Sequence, residues 1–328
     1  MNMMSLGKTG IKVSKIGLGT WAIGGGPAWG GDNSLEDSLE VIRNSPVIGV
    51  NLIDTAPAYN FGNSELILGQ ALSEMKRENV VIITKCGITW TREGSLFNKV
   101  GDRQLYKNLS KESISEEFAL SLWRLGVDYI DIYMTHWQSV EPFFTPISET
   151  MEMLCDLKQK GLIKGIGAAN ATPEQVLEYL KYGELDMVQG KYSILDRVNE
   201  AGLIPICCEK GITFQAYSPL EQGLLSGAIS RDYVPPDGSA QKNKKWFQPE
   251  KLPRAIEMLE SWSDLCKKYD CTVANLAIAW LLAQRENINV LSGSTSKMQL
   301  QENIKAASIM LSDEDVARMR VSAEEADK

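Results

Sequence analysis

The stretch Tyr129-Ile-Asp-Ile-Tyr-Met-Thr-His-Trp137 decides the fold: an apolar, β-rich run stops at an imidazole where a buried strand would meet a loop. Runs of the same kind recur at 15–18, 51–54, 80–85, 164–168, 187–190, 213–217 and 289–292, so that, with 129–135, there are eight. Helical patterns at 34–43, 64–75, 113–125, 147–160, 173–182 and 253–268 lie between most of them. Such alternation implies parallel strands joined by crossover helices. A doubly wound sheet would alternate as well, but eight units with no linker-like break in composition favour closure. The expectation is a (β/α)8 TIM barrel forming a single domain over residues 1–328.

Outside the eight units, Met4-Ser-Leu-Gly-Lys-Thr-Gly-Ile-Lys-Val-Ser14 reads as a hairpin turning around Gly7–Gly10, placed to plug the bottom of the barrel. Three segments, 87–111, 137–146 and 221–249, are read as long loops. Each follows a strand and so belongs to the C-terminal face, where barrels of this kind build their sites.

Composition narrows the function classes. With 44% apolar and 23% charged residues the chain has ordinary globular make-up. Its net charge of −8 repels phosphate backbones and anionic membranes, which argues against nucleic acid as a partner. The six cysteines show no CxxC pair, and one histidine cannot complete a mixed Cys/His zinc set, so no metal site is expected. Reduced thiols, no secretory signal at the N-terminus and no run long enough to cross a bilayer point to a cytoplasmic protein.

The strand ends carry the chemistry. Asp54 closes the run 51–54, Lys85 closes 80–85, His136 follows 129–135, and Tyr59 lies five residues beyond Asp54 in the loop Thr-Ala-Pro-Ala-Tyr. Taken singly, a strand-end Asp caps a turn, a Lys is a solvated tip, a Tyr is packing and a His is a satisfied half-buried ring. Together the four make a proton-donating site. A phenol with a pKa of about 10 is a poor acid near neutrality, and an ammonium beside it would lower that value. Lys85 can supply the cation, Asp54 can keep it charged, and neutral His136 can donate toward a substrate oxygen. The group most simply served is a carbonyl being reduced, or an alcohol being oxidised in the reverse sense.

At this point the chain resembles the aldo-keto reductases. The marks are Gly17-Leu-Gly-Thr-Trp21, Asp54-Thr-Ala-Pro-Ala-Tyr59 with Gly62-Asn-Ser-Glu-Leu-Ile-Leu-Gly69, Thr84-Lys85, the segment from Ser121 to Tyr133 with His136, Gly165-Ile-Gly-Ala-Ala-Asn170, Gln189, Ala216-Tyr-Ser-Pro-Leu220 and Gly293-Ser-Thr-Ser-Lys-Met-Gln-Leu-Gln-Glu-Asn303. The resemblance covers nearly the whole chain. It implies a barrel that transfers hydride between a nicotinamide cofactor and a carbonyl or alcohol, with Tyr59 as general acid, Lys85 and Asp54 tuning it, and His136 orienting the carbonyl. It further implies that Asn170 and Gln189 hold the nicotinamide carboxamide, Tyr217 stacks on the ring and Ser218 and Leu220 touch the pyrophosphate. Gly293, Ser294, Thr295, Gln299 and Asn303 would then lie at the adenosine end.

Two departures matter. Ala169 stands where many members of the family have Ser before the carboxamide-binding Asn. Gly293, Thr295 and Gln299 occupy positions where members that prefer NADP often carry Lys or Arg. A 2′-phosphate calls for charge-assisted donors. NADP(H) is expected on family grounds, with NAD(H) in competition.

Trp21, Trp90 and Trp137 are candidate walls of the substrate pocket, suited to a small carbonyl compound or a sugar-like one. The same chemistry run backwards would make a sugar, glycoside or polyol dehydrogenase. The other classes are a lyase using Lys85 or Lys164 as a Schiff-base amine and a cofactor-binding regulatory subunit, since the potassium-channel β-subunits are similar to this family. A serine hydrolase built on His136 is disfavoured because no G-x-S-x-G elbow occurs. The basic patch Lys242-Asn-Lys-Lys-Trp-Phe247 reads equally as a cofactor clamp or a solvated loop. The glycines at 24–26, 30 and 31 lack the strand, turn and helix of a dinucleotide fingerprint and read as a flexible first βα loop.

Overall fold

The computed structural model describes residues 3–31 and 33–328. Met1 and Asn2, at the start of the segment read as lacking a secretory signal, lie outside the described residues.

The chain opens with β1 (Met3–Ser5) and β2 (Lys12–Ser14), an antiparallel hairpin. Then come β3 (Ile16–Gly19), α1 (Leu35–Asn44), β4 (Leu52–Asp54), α2 (Asn63–Leu72) and β5 (Val81–Cys86). Three short strands follow, β6 (Ile88–Thr89), β7 (Ser95–Val100) and β8 (Arg103–Lys107). The alternation resumes with α3 (Lys111–Leu125), β9 (Ile130–Thr135), α4 (Ile147–Gln159), β10 (Ile163–Ala169), α5 (Pro173–Tyr182), β11 (Met187–Lys191), α6 (Leu203–Lys210) and β12 (Thr213–Tyr217). It ends with α7 (Leu252–Glu260), α8 (Ser263–Lys268), α9 (Val273–Leu282), β13 (Ile288–Gly293), α10 (Lys297–Ile304) and α11 (Asp313–Asp327).

Eight strands close into a parallel barrel in the order β10-β11-β12-β13-β3-β4-β5-β9, so each of the eight sequence runs is a barrel strand and the (β/α)8 expectation holds. Parallel strands covered by helices outside and side chains inside are buried on both faces, which is why β5 and β9 read as unbroken apolar runs. Crossover helices start where a hydroxyl can accept an orphan backbone N–H: Ser34, Ser110, Thr172 and Thr272 cap α1, α3, α5 and α9. The hairpin seats against the lower ends of β11 and β12. Gly7 N donates to Thr213 Oγ1 at 2.8 Å, and a Cβ on Gly7 would meet Asp186 O at 2.3 Å, so only glycine allows that approach.

Two expectations need correcting. The segment 87–111 is not a loop: β6, β8 and β7 form an antiparallel three-stranded sheet beside the barrel mouth, and α3 begins at Lys111. The pattern 253–268 is two helices, broken where Trp262 turns into the core and donates from Nε1 to Ser322 Oγ at 2.9 Å.

The segment after β12 meets the loop after β3, spanning the intervening β13: Ala240 N donates to Ala28 O at 2.9 Å, while within the segment Gln241 Nε2 donates to Gln222 O at 2.7 Å. Its basic patch is an anchor, with Trp246 and Phe247 buried, Lys242 paired to Asp237 and Lys245 to Asp327. Among the described residues no helix is long and apolar enough to cross a membrane.

Candidate active site

The barrel brings the four strand-end and loop candidates to one point at its C-terminal rim. Parallel register sets Asp54 beside Ile83 and Lys85 beside Met134, so the two charges face inward one step apart. Lys85 Nζ donates to Asp54 Oδ1 at 2.7 Å, to Thr55 O at 2.9 Å and to Tyr59 OH at 3.1 Å. Its three hydrogens are thereby used, and the side chain is fully buried.

Tyr59 reaches the lysine through a tight turn. Asn60, Phe61 and Gly62 follow it with φ of 50°, 54° and 87°, three consecutive left-handed residues, two of them not glycine. Backbone strain of this kind, about 1–2 kcal/mol per such residue, persists where surrounding structure enforces it. The His136 ring lies edge-on to the phenol with centroids 5.6 Å apart. Its main chain is fixed by His136 N donating to Cys86 O at 2.8 Å and by Asn170 Nδ2 donating to His136 O at 2.9 Å.

The electrostatics differ from the expectation drawn from charge alone. Burial, reinforced by Asp54, holds the Tyr59 phenol well above its ordinary pKa, so desolvation outweighs the neighbouring ammonium. Burial likewise lowers Lys85, with Asp54 opposing, and raises Asp54, with Lys85 opposing. The result is a phenol that keeps its proton. His136 is held well below the usual imidazole range by burial first and by Lys85 second, so the ring is neutral near pH 7. Its Nδ1 is buried without a hydrogen-bond partner among the described residues. A buried bare lone pair is tolerated more easily than a buried unmet N–H, which assigns the proton to Nε2.

A second cluster adjoins the first. Asn170 also sits at a left-handed φ of 53°, a conformation asparagine adopts readily, and accepts from Tyr217 OH at 2.8 Å. Gln189 crosses from the opposite wall: its Nε2 donates to Asp54 Oδ2 at 2.9 Å and to Gln215 Oε1 at 2.6 Å. Ser218, with φ 53°, accepts from Gln222 Nε2 at 2.8 Å, and Leu220 is half-buried at the start of the following turn. Beyond β13, Thr295 N and Oγ1 both donate to Gln299 Oε1, at 2.9 and 3.1 Å. Asn303 Nδ2 donates to Ser292 Oγ and Ser294 Oγ, and Gly293 is exposed. Free acceptor or donor capacity therefore remains on Gln189 Oε1, Asn170 and the Ser294–Thr295 hydroxyls, lining a path from Tyr59 across β11, β12 and β13.

Of the three candidate tryptophans, Trp21 comes within 6.3 Å of the Tyr59 ring, centroid to centroid, and is backed by Trp29 at 5.0 Å. Trp90 packs edge-on to Phe61 at 5.5 Å, and Trp137 lies 5.7 Å from Phe97 beneath Lys107. These two belong to the side of the small sheet, and no ring contact joins them to Tyr59 or His136 among the described residues. Trp29, Phe61, Gln215 and Asn289 were not singled out from sequence. The last two carried a signal, each being a lone amide inside an apolar strand.

A (β/α)8 barrel with an ionic, phenol-bearing cluster at its C-terminal rim defines a barrel enzyme. The chain belongs to the aldo/keto reductase family, whose family model matches residues 15–324. It is 60% identical over 324 residues, 99% of either chain, to the NADH-specific methylglyoxal reductase of Escherichia coli (strain K12). Over 317 residues it is 34% identical to the aldo-keto reductase YhdN of Bacillus subtilis (strain 168), covering 96% of this chain and 91% of that one. Among solved structures, the glycerol dehydrogenase AKR11B4 from Gluconobacter oxydans superposes with a TM-score of 0.88 at 28% identity, covering 98% of this chain and 95% of the other. The holo form of the aldo-keto reductase AKR11C1 from Bacillus halodurans gives 0.76 at 27% identity, with 99% and 96% covered. The protein is thus an oxidoreductase of NAD(P)H-dependent carbonyl reduction.

Proposed function

We propose that this protein reduces the aldehyde of small 2-oxoaldehydes such as methylglyoxal, using NADH, with Tyr59 as the general acid. The observation that carries the reading is the three-way clasp of Lys85 Nζ on Asp54, Thr55 and Tyr59. It aims a protonated phenol at the barrel mouth beside the neutral His136 ring. The bound nicotinamide supplies the hydride. His136 Nε2–H and Tyr59 OH converge on the substrate oxygen, the first orienting it and the second giving up its proton as negative charge develops there. Lys85 stabilises the phenolate left behind. Asn170 and Gln189 would hold the carboxamide, Tyr217 the ring face, and Ser218 and Leu220 the pyrophosphate.

Two observations favour NADH over the NADP(H) expected from the wider family. At the adenosine end Gly293, Ser294, Thr295, Gln299 and Asn303 are uncharged, and Lys297 lies 3.8 Å from Glu40, which draws on its charge. Neutral hydroxyls and amides suit the ribose diol of NADH better than a 2′-phosphate. The relative sharing 60% of this sequence is named for NADH and methylglyoxal. A small substrate also fits a mouth where Trp21, braced by Trp29, closes on Tyr59.

A polyol dehydrogenase is the second reading, favoured by the likeness to the glycerol dehydrogenase structure. Oxidation needs the phenolate as base, and a phenol held well above its ordinary pKa opposes that near neutrality. Both readings are separated by kcat/KM for methylglyoxal with NADH and with NADPH, and for glycerol with NAD. The expected order places NADH-linked reduction first by at least about tenfold, more than 1.4 kcal/mol in barrier. A preference for NADPH, or faster glycerol oxidation at pH 7, would overturn the corresponding part.

A further inference from the structure

A ladder of buried amides runs across three adjacent barrel strands into the site. Strand register puts Gln189 of β11 beside Gln215 of β12, and Gln215 beside Asn289 of β13. Gln215 and Asn289 are fully buried. Gln189 Nε2 donates to Gln215 Oε1 at 2.6 Å, Gln215 Nε2 donates to Asn289 Oδ1 at 2.8 Å, and Asn289 Nδ2 donates to Ser14 O at 2.8 Å and Lys15 O at 3.1 Å.

The direction of this ladder is fixed from its far end. Two backbone carbonyls only accept, so Asn289 must turn its nitrogen to them and its oxygen to Gln215. Gln215 must then answer with nitrogen and offer oxygen to Gln189, and Gln189 must answer with nitrogen in turn. That nitrogen's second hydrogen goes to Asp54 Oδ2 at 2.9 Å. Both hydrogens being committed, the atom of Gln189 left without a partner among the described residues is Oε1.

We propose that Gln215 and Asn289 are positioning residues that lock the amide of Gln189, so that the site presents a pure acceptor there and selects a ligand group bearing an N–H. The inference rests on the reading of Gln189 as a contact to the nicotinamide carboxamide. It extends that reading to two residues that touch neither cofactor nor substrate. Removing the lock leaves Nε2 held by Asp54 Oδ2 alone, so the amide swings about that one bond and its freed hydrogen can meet a ligand acceptor as well. A half-satisfied amide ladder has no such selectivity.

The test compares binding of NAD and of its acetylpyridine analogue, which keeps the ring carbonyl but lacks the amide N–H, by calorimetric titration. The thionicotinamide analogue, which keeps the N–H, serves as control. In the wild-type protein the acetylpyridine analogue should bind about tenfold more weakly than NAD, the worth of one hydrogen bond with its acceptor left unmet. In Gln215→Met, close in volume but unable to bond, the ratio should fall toward one. In Gln215→Glu it should persist, because a buried neutral carboxyl accepts from Gln189 and donates to Asn289 as the amide does. Persistence of the ratio in Gln215→Met overturns the inference while leaving the carboxamide reading intact. Should Gln215→Met not fold, loss of the ratio in Gln215→Glu overturns it instead. A wild-type ratio near one, unchanged by Gln189→Met, withdraws both.

Discussion

The two halves of the barrel interior are built of opposite material on the same strands. Toward the hairpin, Leu6, Val13, Leu52, Ile83, Ile132 and Met187 form one apolar cluster. Two residues further along β4 and β5, Asp54 and Lys85 are just as buried and lie 2.7 Å apart as an ion pair, and the Gln189–Gln215–Asn289 ladder joins them. The lower half holds the strands in register without directional bonds. The upper half fixes side chains by directional bonds but carries a desolvation cost. An ion pair this deep is kept for its geometry, and the apolar half makes that affordable.

The largest expected effect follows from breaking the upper half. Lys85→Met leaves Asp54 buried and unpaired and should destabilise the fold by about 3–5 kcal/mol while removing most turnover. A denaturation midpoint unchanged from wild type would show that the pair carries no such cost. The counterpart below is Ile132→Ala, expected to cost about 2–5 kcal/mol through the cavity it leaves. Its turnover, measured where it remains folded, should be little altered. Loss of activity in the folded variant would mean that the two halves are not separable.

How much of this division is legible in the sequence depends on what each feature requires. The eight strands are, because a parallel strand buried on both faces must read as an apolar run. Asp54, Lys85 and His136 stand out for the same reason, as the polar residue that ends such a run. The sheet β6–β8 is not legible: Ser95-Leu-Phe-Asn-Lys-Val100 shows no alternation of apolar and polar residues, Leu96 is exposed, and the pairing with β8 shifts register between Leu96 and Asn98. Gln215 and Asn289 sit in plain view, yet their pairing emerges only once the register of β11, β12 and β13 is known. The sense of the Tyr59 shift is also hidden, since the ammonium is visible in the sequence and the burial that outweighs it is not. Trp137 adjoins His136 in the chain but turns to Phe97, a choice made by the sheet beneath it.

Proton occupancy sharpens the contrast through pH. In the proposed mechanism reduction needs the Tyr59 proton, and because its pKa is raised in the folded protein that proton stays on throughout the neutral range. The kcat/KM for reduction should therefore show no loss from this group below pH of about 10, the unperturbed phenol value. Oxidation of the product alcohol should instead climb about tenfold per pH unit over the same span. A reductive rate halved near pH 7 by a group absent in Tyr59→Phe would contradict the buried-phenol account.

The smallest effect concerns Glu117, behind β5, whose carboxylate oxygens both accept from Gly87 N at 3.1 Å. Burial pushes its pKa up to about 8. A carboxyl raised on folding contributes its full stability below the unfolded value, near 4.5, and loses it as pH rises through about 8. Glu117→Gln keeps an acceptor for Gly87 and has nothing to ionise. It should melt about 2 °C or more above wild type at pH 8, and the difference should vanish toward pH 5. Equal melting temperatures at both pH values would show that folding does not raise the Glu117 pKa.

The most direct measurement of the central claim is single-turnover oxidation of NADH by methylglyoxal, followed by stopped-flow in wild type and Tyr59→Phe. In the proposed mechanism the phenol hydroxyl serves proton transfer and does not hold NADH. Tyr59→Phe should therefore bind NADH with unchanged affinity and transfer hydride at least about 100-fold more slowly. Equal transfer rates in the two proteins would contradict Tyr59 as the acid and return the Lys85 clasp to a structural role.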